Sequence, residues 1–123
     1  MDLNSITREI MDSAYTVHTA LGPGLLESSY RSCLAYELRQ KGFLVEEEKS
    51  LPLVYKEIRL DHGYRIDLLI ENAVIVELKT VEEFSDVHKA QILTYMKLAN
   101  KKDGRLINFY TKSLKDGIKR FVL

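Results

Sequence analysis

The chain of 123 residues has one cysteine, no net charge and no internal repeat or low-complexity tract, and each absence removes a class of protein. The single cysteine, Cys33, excludes an internal disulfide framework and suits a reducing compartment. Eighteen basic side chains balance eighteen acidic ones, so no global electrostatic pull toward nucleic acid or a membrane surface is expected. That neutrality counts mildly against strong non-specific DNA binding and leaves local patches open. No apolar run approaches the ~20 residues needed to cross a bilayer. The opening "MDLNSITREI" has neither the basic nor the apolar region of a secretory signal, so a soluble cytoplasmic domain with no membrane partner is expected. His18, His62 and His88 lack metal-ligand spacing, which argues against a zinc site; each reads as a surface residue.

What is present fits one domain, residues 1–123, with a core of ordinary size. Residues 4–20 read as a helix capped by Asn4 or Ser5, because Ile6, Ile10, Ala14, Val17 and Leu21 recur at helical spacing. "GPG" at 22–24 stops it. A second helix is expected from about Leu26 to Lys41, with Tyr30, Cys33, Leu34 and Leu38 on one stripe and Gly42 at its end. From Phe43 to Lys79 the pattern changes to short β-type runs, closely spaced enough to predict an antiparallel meander. A third helix spans roughly Asp86 to Ala99 with Gly104 after it, then "RLINFY" reads as a buried strand and "IKRFVL" as an edge strand. The crossover helix would set "RLINFY" parallel to a meander strand. Apolar residues on both faces of 66–70 and 73–78 predict a sheet covered on both sides. The expected class is α/β: a three-layer α/β/α sandwich with a mixed central sheet.

The informative stretch is "YRIDLLIENAVIVELKT", residues 64–80, in which Asp67, Glu77 and Lys79 interrupt the most hydrophobic segment of the chain. Glu77 and Lys79 share a strand face. A two-residue "EN" turn would place Asp67 on the other face, whereas a three-residue connection or a bulge would pair Asp67 with Glu77. Convergence of the three therefore requires an odd loop or a bulge. Two facing carboxylates repel, and a cation relieves them. Lys79 supplies part of that charge, and a divalent metal supplies more, since Mg²⁺ accepts one or two carboxylates completed by waters and phosphate oxygens. The plain alternative is a salt bridge at a strand end. It accounts less well for Asp67, centred in "RIDLLI", because burying an unpaired carboxylate costs several kcal/mol.

An Asp on one strand followed by Glu-x-Lys on the next resembles the PD-(D/E)xK nuclease superfamily. "QILTY", Gln91 to Tyr95, is similar to the Q-x-x-x-Y pattern of its RecB-like exonuclease branch. "GLLESSY", residues 24–30, resembles the signature of the small GxxExxY family within that superfamily, and "LGPG", "GYRIDLLI", "VIVELKT", "LINF" and "GIKRFVL" extend the likeness over nearly the whole chain. The resemblance implies a restriction-endonuclease-like core and a Mg²⁺- or Mn²⁺-dependent deoxyribonuclease. Asp67 and Glu77 would hold the metal, Lys79 would orient the attacking water, Glu27 would assist the metal or its water shell, and Gln91 would orient the site. Ile66 stands where the motif often has proline. The chain lacks the four cysteines of the iron–sulfur cluster some RecB-like relatives carry.

Around this constellation, Tyr30 and Tyr95 read as supporting packing residues with a polar tip. Arg65, sharing the face of Asp67, is a candidate phosphate contact or simply a counter-ion, and Lys112, Lys115, Lys119 and Arg120 form either a candidate phosphate-contacting patch or a solvated tail. Glu46–Glu48 reads as a solvated edge and Cys33 as inert core. A homodimer would widen the DNA footprint of so small a nuclease. A catalytically silent nuclease-fold module binding nucleic acid or a protein partner, and a plain α/β domain with structural charges, are the competing readings.

Overall fold

Two helices come first, α1 (Leu3–Leu21) and α2 (Glu27–Gln40), in a computed structural model that describes residues 1–61 and 63–123. His62 lies outside the described residues. Then follow β1 (Val45–Ser50), β2 (Leu53–Tyr55), β3 (Ile58–Leu60), β4 (Arg65–Ile70), β5 (Val74–Lys79), α3 (Asp86–Ala99), β6 (Asp103–Asn108), a 3-10 turn at Leu114–Gly117, and β7 (Ile118–Val122). Asp2, rather than Asn4 or Ser5, caps α1: its carboxylate accepts the Ser5 N–H at 2.8 Å. Gly22, at φ 72°, ends α1 in a conformation that suits glycine. The third helix has the expected span, Asp86–Ala99, and Asn100 caps it in the left-handed region.

The main sheet has the order β1-β4-β5-β6-β7. β5 and β6 are parallel, joined by α3, and the other neighbours are antiparallel, so the sheet is mixed as expected. The simple meander is not formed. β1 skips its sequence neighbours and pairs with β4, while β2 and β3 make a separate hairpin outside the main sheet. Strand pattern identifies strands and carries no information on partners, so this excursion is invisible to it.

α1 and α2 cover one face with Ile10, Ala14, Tyr30, Leu34 and Leu38 against Leu68, Val74, Val76 and Ile107. On the other face, Ile92, Tyr95 and Met96 of α3 pack on Leu69, Ile75 and Leu106. The result is the three-layer α/β/α sandwich. Of the expected α1 stripe only Leu21 is exposed, and Cys33 is half-buried. Gly104 lies inside β6, where a Cβ would stand 2.7 Å from the Met96 sulfur, so glycine lets α3 approach the sheet.

Candidate active site

Whether the hairpin acids meet depends on the connection between β4 and β5. The ladder runs Ile70–Val74, Leu69–Ile75, Leu68–Val76, which leaves a three-residue loop, Glu71–Ala73. Glu71 and Asn72 both take left-handed conformations, at φ 52° and 50°, and Ala73 donates its N–H to the Ile70 carbonyl at 2.9 Å. The odd loop carries the register on to Asp67 opposite Glu77. There the side chains take over the ladder. Glu77 Oε2 accepts the Asp67 N–H at 3.1 Å, and Asp67 Oδ2 accepts the Leu78 N–H at 2.9 Å. The two carboxyls thus replace backbone partners where the strands part, and backbone bonds fix one oxygen of each.

Glu77 is only 3 % exposed, and among the described residues neither it nor Asp67 forms an ion pair. Burial, then the charge of Asp67 and a side-chain hydrogen bond with it, push the Glu77 carboxyl up to about 9. Lys79 opposes this only weakly. Its ammonium is turned instead to Gln91 of α3, at 3.4 Å from Oε1. Gln91 in turn donates from Nε2 to the Tyr95 hydroxyl at 3.1 Å. Burial first, and the charge of Glu77 second, hold the Tyr95 hydroxyl above its ordinary range. The Q-x-x-x-Y spacing is therefore one helical turn that carries a hydrogen-bonded relay to the lysine. Asp67, Glu77, Lys79, Gln91 and Tyr95 are brought together on the α3 side of the sheet.

Glu27 stands in the first turn of α2, half-buried, without a hydrogen bond or ion pair among the described residues. Those residues contain no group of three or more His, Cys, Asp or Glu side chains able to hold a metal, so Glu27 does not complete the pair directly. Its helix start is nevertheless anchored at the same end of the sheet. Tyr30, fully buried, stacks on Phe109 with ring centroids 4.4 Å apart, and Phe109 donates its N–H to the Lys79 carbonyl at 2.9 Å. The Tyr30 hydroxyl accepts the Leu25 N–H at 3.0 Å and donates to the Gly22 carbonyl. Tyr30 is a latch on the loop that delivers Glu27.

The outlying candidates scatter. Ile66 packs with the α3-side cluster instead of with Leu68 and Ile70, so strand alternation breaks between them and does not set Arg65 beside Asp67. Arg65 is exposed and forms no ion pair among the described residues. The basic patch is divided. Lys119 lies opposite Leu106 and Arg120 opposite Arg105, which places them on opposite faces, and Arg120 is 3.7 Å from Asp103. Lys112 and Lys115 are exposed between β6 and β7. Val87, one turn before Gln91 on α3, is 74 % exposed. Glu46 pairs with Lys49, and Glu47 with Arg39, along the β1 edge.

Two histidines read as plain surface groups have structural roles. His18 is half-buried, with Nε2 2.8 Å from the Thr111 carbonyl, and His88 closes a capping box with Ser85 at the start of α3. Asn108 escaped the sequence reading altogether. It is 3 % exposed and clamps Val81, accepting its N–H at 3.1 Å and donating to its carbonyl at 2.6 Å, so it fixes the chain immediately after Lys79. A polar amide ending the buried run "LIN" was the available signal.

The fold, a mixed five-stranded sheet between helices, and the site, paired acids with a Glu-x-Lys strand, define a nuclease-like core. A family model for the PD-(D/E)XK nuclease superfamily matches residues 4–121, and the chain belongs to that superfamily. No curated protein and no solved structure matches it.

The superfamily generally uses divalent metals such as Mg²⁺, and the donor set suits one. Two adjacent carboxyls, one of them pushed toward its protonated form by burial and by the other's charge, form a place where a divalent cation would substitute for the proton.

Proposed function

We propose that the protein is a Mg²⁺- or Mn²⁺-dependent phosphodiester hydrolase acting on DNA, of the GxxExxY family and the RecB-like branch, working in a reducing cytoplasmic setting. The single observation that carries this reading is the facing of Asp67 and Glu77 without an internal counter-ion, beside Lys79. Asp67 and Glu77 would hold the cation, which when bound supplies Lewis-acid polarisation of a phosphate oxygen. Lys79, steadied by Gln91 and Tyr95, orients the attacking water and offsets negative charge that builds on the phosphate. Glu27, presented by the Tyr30 latch, acts through ordered water at the rim of the site. Arg65, Lys112, Lys115 and Lys119 supply phosphate contacts, while Arg120 is committed to Asp103.

Cleavage of supercoiled plasmid and labelled single-stranded DNA, with Mg²⁺ or Mn²⁺ against EDTA, tests the reading. Metal-dependent cutting that is lost in both Asp67→Asn and Lys79→Ala supports it. No cutting, or cutting that survives both substitutions, removes it in favour of a silent binding module.

A further inference from the structure

The exposed tyrosines are Tyr15, Tyr36, Tyr55, Tyr64 and Tyr110. Among the described residues Tyr64 is the one whose ring touches a side chain of the site. Its centroid lies 6.5 Å from that of Tyr95, with the rings at 71°, and the residue remains 42 % exposed. Tyr95 is bonded to Gln91, which meets Lys79, so Tyr64 is the solvent-facing end of the relay that reaches the catalytic strand. It precedes Asp67 by three residues, about 10 Å along an extended chain. Its backbone is held, since the Tyr64 carbonyl accepts the Leu51 N–H at 2.9 Å and the next residue, Arg65, pairs with Ser50. A held tyrosine ring offers contact area at low entropic cost, having only two side-chain torsions to fix.

We infer that Tyr64 is a stacking platform for one unpaired base of single-stranded DNA, seated a nucleotide-scale step from the phosphate held at Asp67 and Glu77, with Arg65 contacting the adjoining backbone. The inference rests on the nuclease reading and adds the class of substrate. A duplex keeps its bases stacked on one another, so a lone ring beside the site serves a base that is already free or frayed. The charge balance points the same way. With eighteen basic and eighteen acidic side chains, phosphate attraction is local and modest, and base stacking supplies affinity that does not depend on counter-ion release.

The test is binding, read by fluorescence anisotropy in Ca²⁺ buffer on three labelled probes: oligo(dT), the same strand with abasic sites, and a blunt duplex. Wild type is compared with Tyr64→Ala, Tyr64→Phe and Arg65→Ala, each checked for native melting. Tyr64→Ala should bind oligo(dT) about tenfold more weakly, the size of one base–aromatic stack. It should bind the abasic strand as wild type does, and Tyr64→Phe should keep wild-type affinity. The salt slope should be unchanged by Tyr64→Ala and reduced by about one by Arg65→Ala. Equal affinity of wild type and Tyr64→Ala for oligo(dT), or an equal loss on abasic and duplex probes, overturns the stacking role while the nuclease reading stands. If wild type binds none of the three probes, the nucleic-acid reading of the site fails, and this inference falls with it.

Discussion

Two buried carboxylates in this sheet are treated in opposite ways. Asp103, at the start of β6 and 1 % exposed, has its counter-ions built in: Arg105 Nε is 3.1 Å from one oxygen and Arg120 Nε 3.7 Å from the other. Glu77, on the neighbouring strand and 3 % exposed, faces a second acid, and the lysine two residues on turns to an amide. Desolvation of a charge is expensive in both places. At Asp103 the fold meets that expense with its own cations, which marks a structural ion cluster. At Glu77 it does not, and burial with the charge of Asp67 draws a proton there, which the proposed cation would replace.

Substitutions that treat the two acids alike should therefore behave differently. The largest effect is on cleavage: Asp67→Asn and Lys79→Ala should each lower the metal-dependent rate by about a thousandfold or more, measured on plasmid. Asp103→Asn, assayed well below its melting temperature, should leave that rate within about threefold. Stability should show the reverse. Asp103→Asn strands the buried Arg105 and should destabilise the protein by about 3–5 kcal/mol in urea titrations. An apolar pair at 103 and 105 of similar volume should recover much of this.

Glu77→Gln should instead stabilise the metal-free protein at pH 8, by about 1–3 kcal/mol or roughly 5 °C in melting temperature. The sign follows from the folded carboxyl being raised to about 9 while the unfolded one keeps its ordinary value. Its contribution is fully present below about pH 4.5, the unfolded range. It is lost progressively as pH rises toward 9, because the unfolded chain releases a proton that the folded one retains. The advantage of the glutamine should shrink toward zero at pH 5; a gain of equal size at pH 5 and pH 8 would assign it to packing. The smallest effect belongs to the latch. Tyr30→Phe should cost about 1 kcal/mol by freeing the Leu25 N–H and the Gly22 carbonyl. Its effect on cleavage should not add to that of Glu27→Gln, because both act through the same loop.

The Glu77 side of this contrast was legible in the residues. Acids set inside "RIDLLI" and "VIVELK" are conspicuous because apolar strands tolerate them poorly, and Gln91 and Tyr95 stood out through their likeness to the Q-x-x-x-Y pattern. The loop was not legible. "EN" has the composition of a two-residue turn, and nothing local shows that Ala73 belongs to the connection. That one residue decides whether Asp67 meets Glu77, so the sequence could state the condition and not its outcome. Pairing across the sheet was hidden for a related reason: β2 and β3 carry strand-like residues, and only tertiary contacts exclude them from the main sheet. The Asp103 cluster was missed because its acid and two arginines meet only when β7 pairs with β6. Asn108, too, acts across 27 positions of sequence, beyond any local pattern.

The most direct test is a thermal titration with Mn²⁺ of wild type, Asp67→Asn and Asp103→Asn at pH 8. Wild type and Asp103→Asn should gain melting temperature by the same increment as Mn²⁺ rises into the millimolar range, and Asp67→Asn should gain none. A wild-type protein indifferent to Mn²⁺, or an Asp67→Asn variant that gains as much as wild type, would contradict the claim that the β4–β5 acids are built for a cation the chain does not supply.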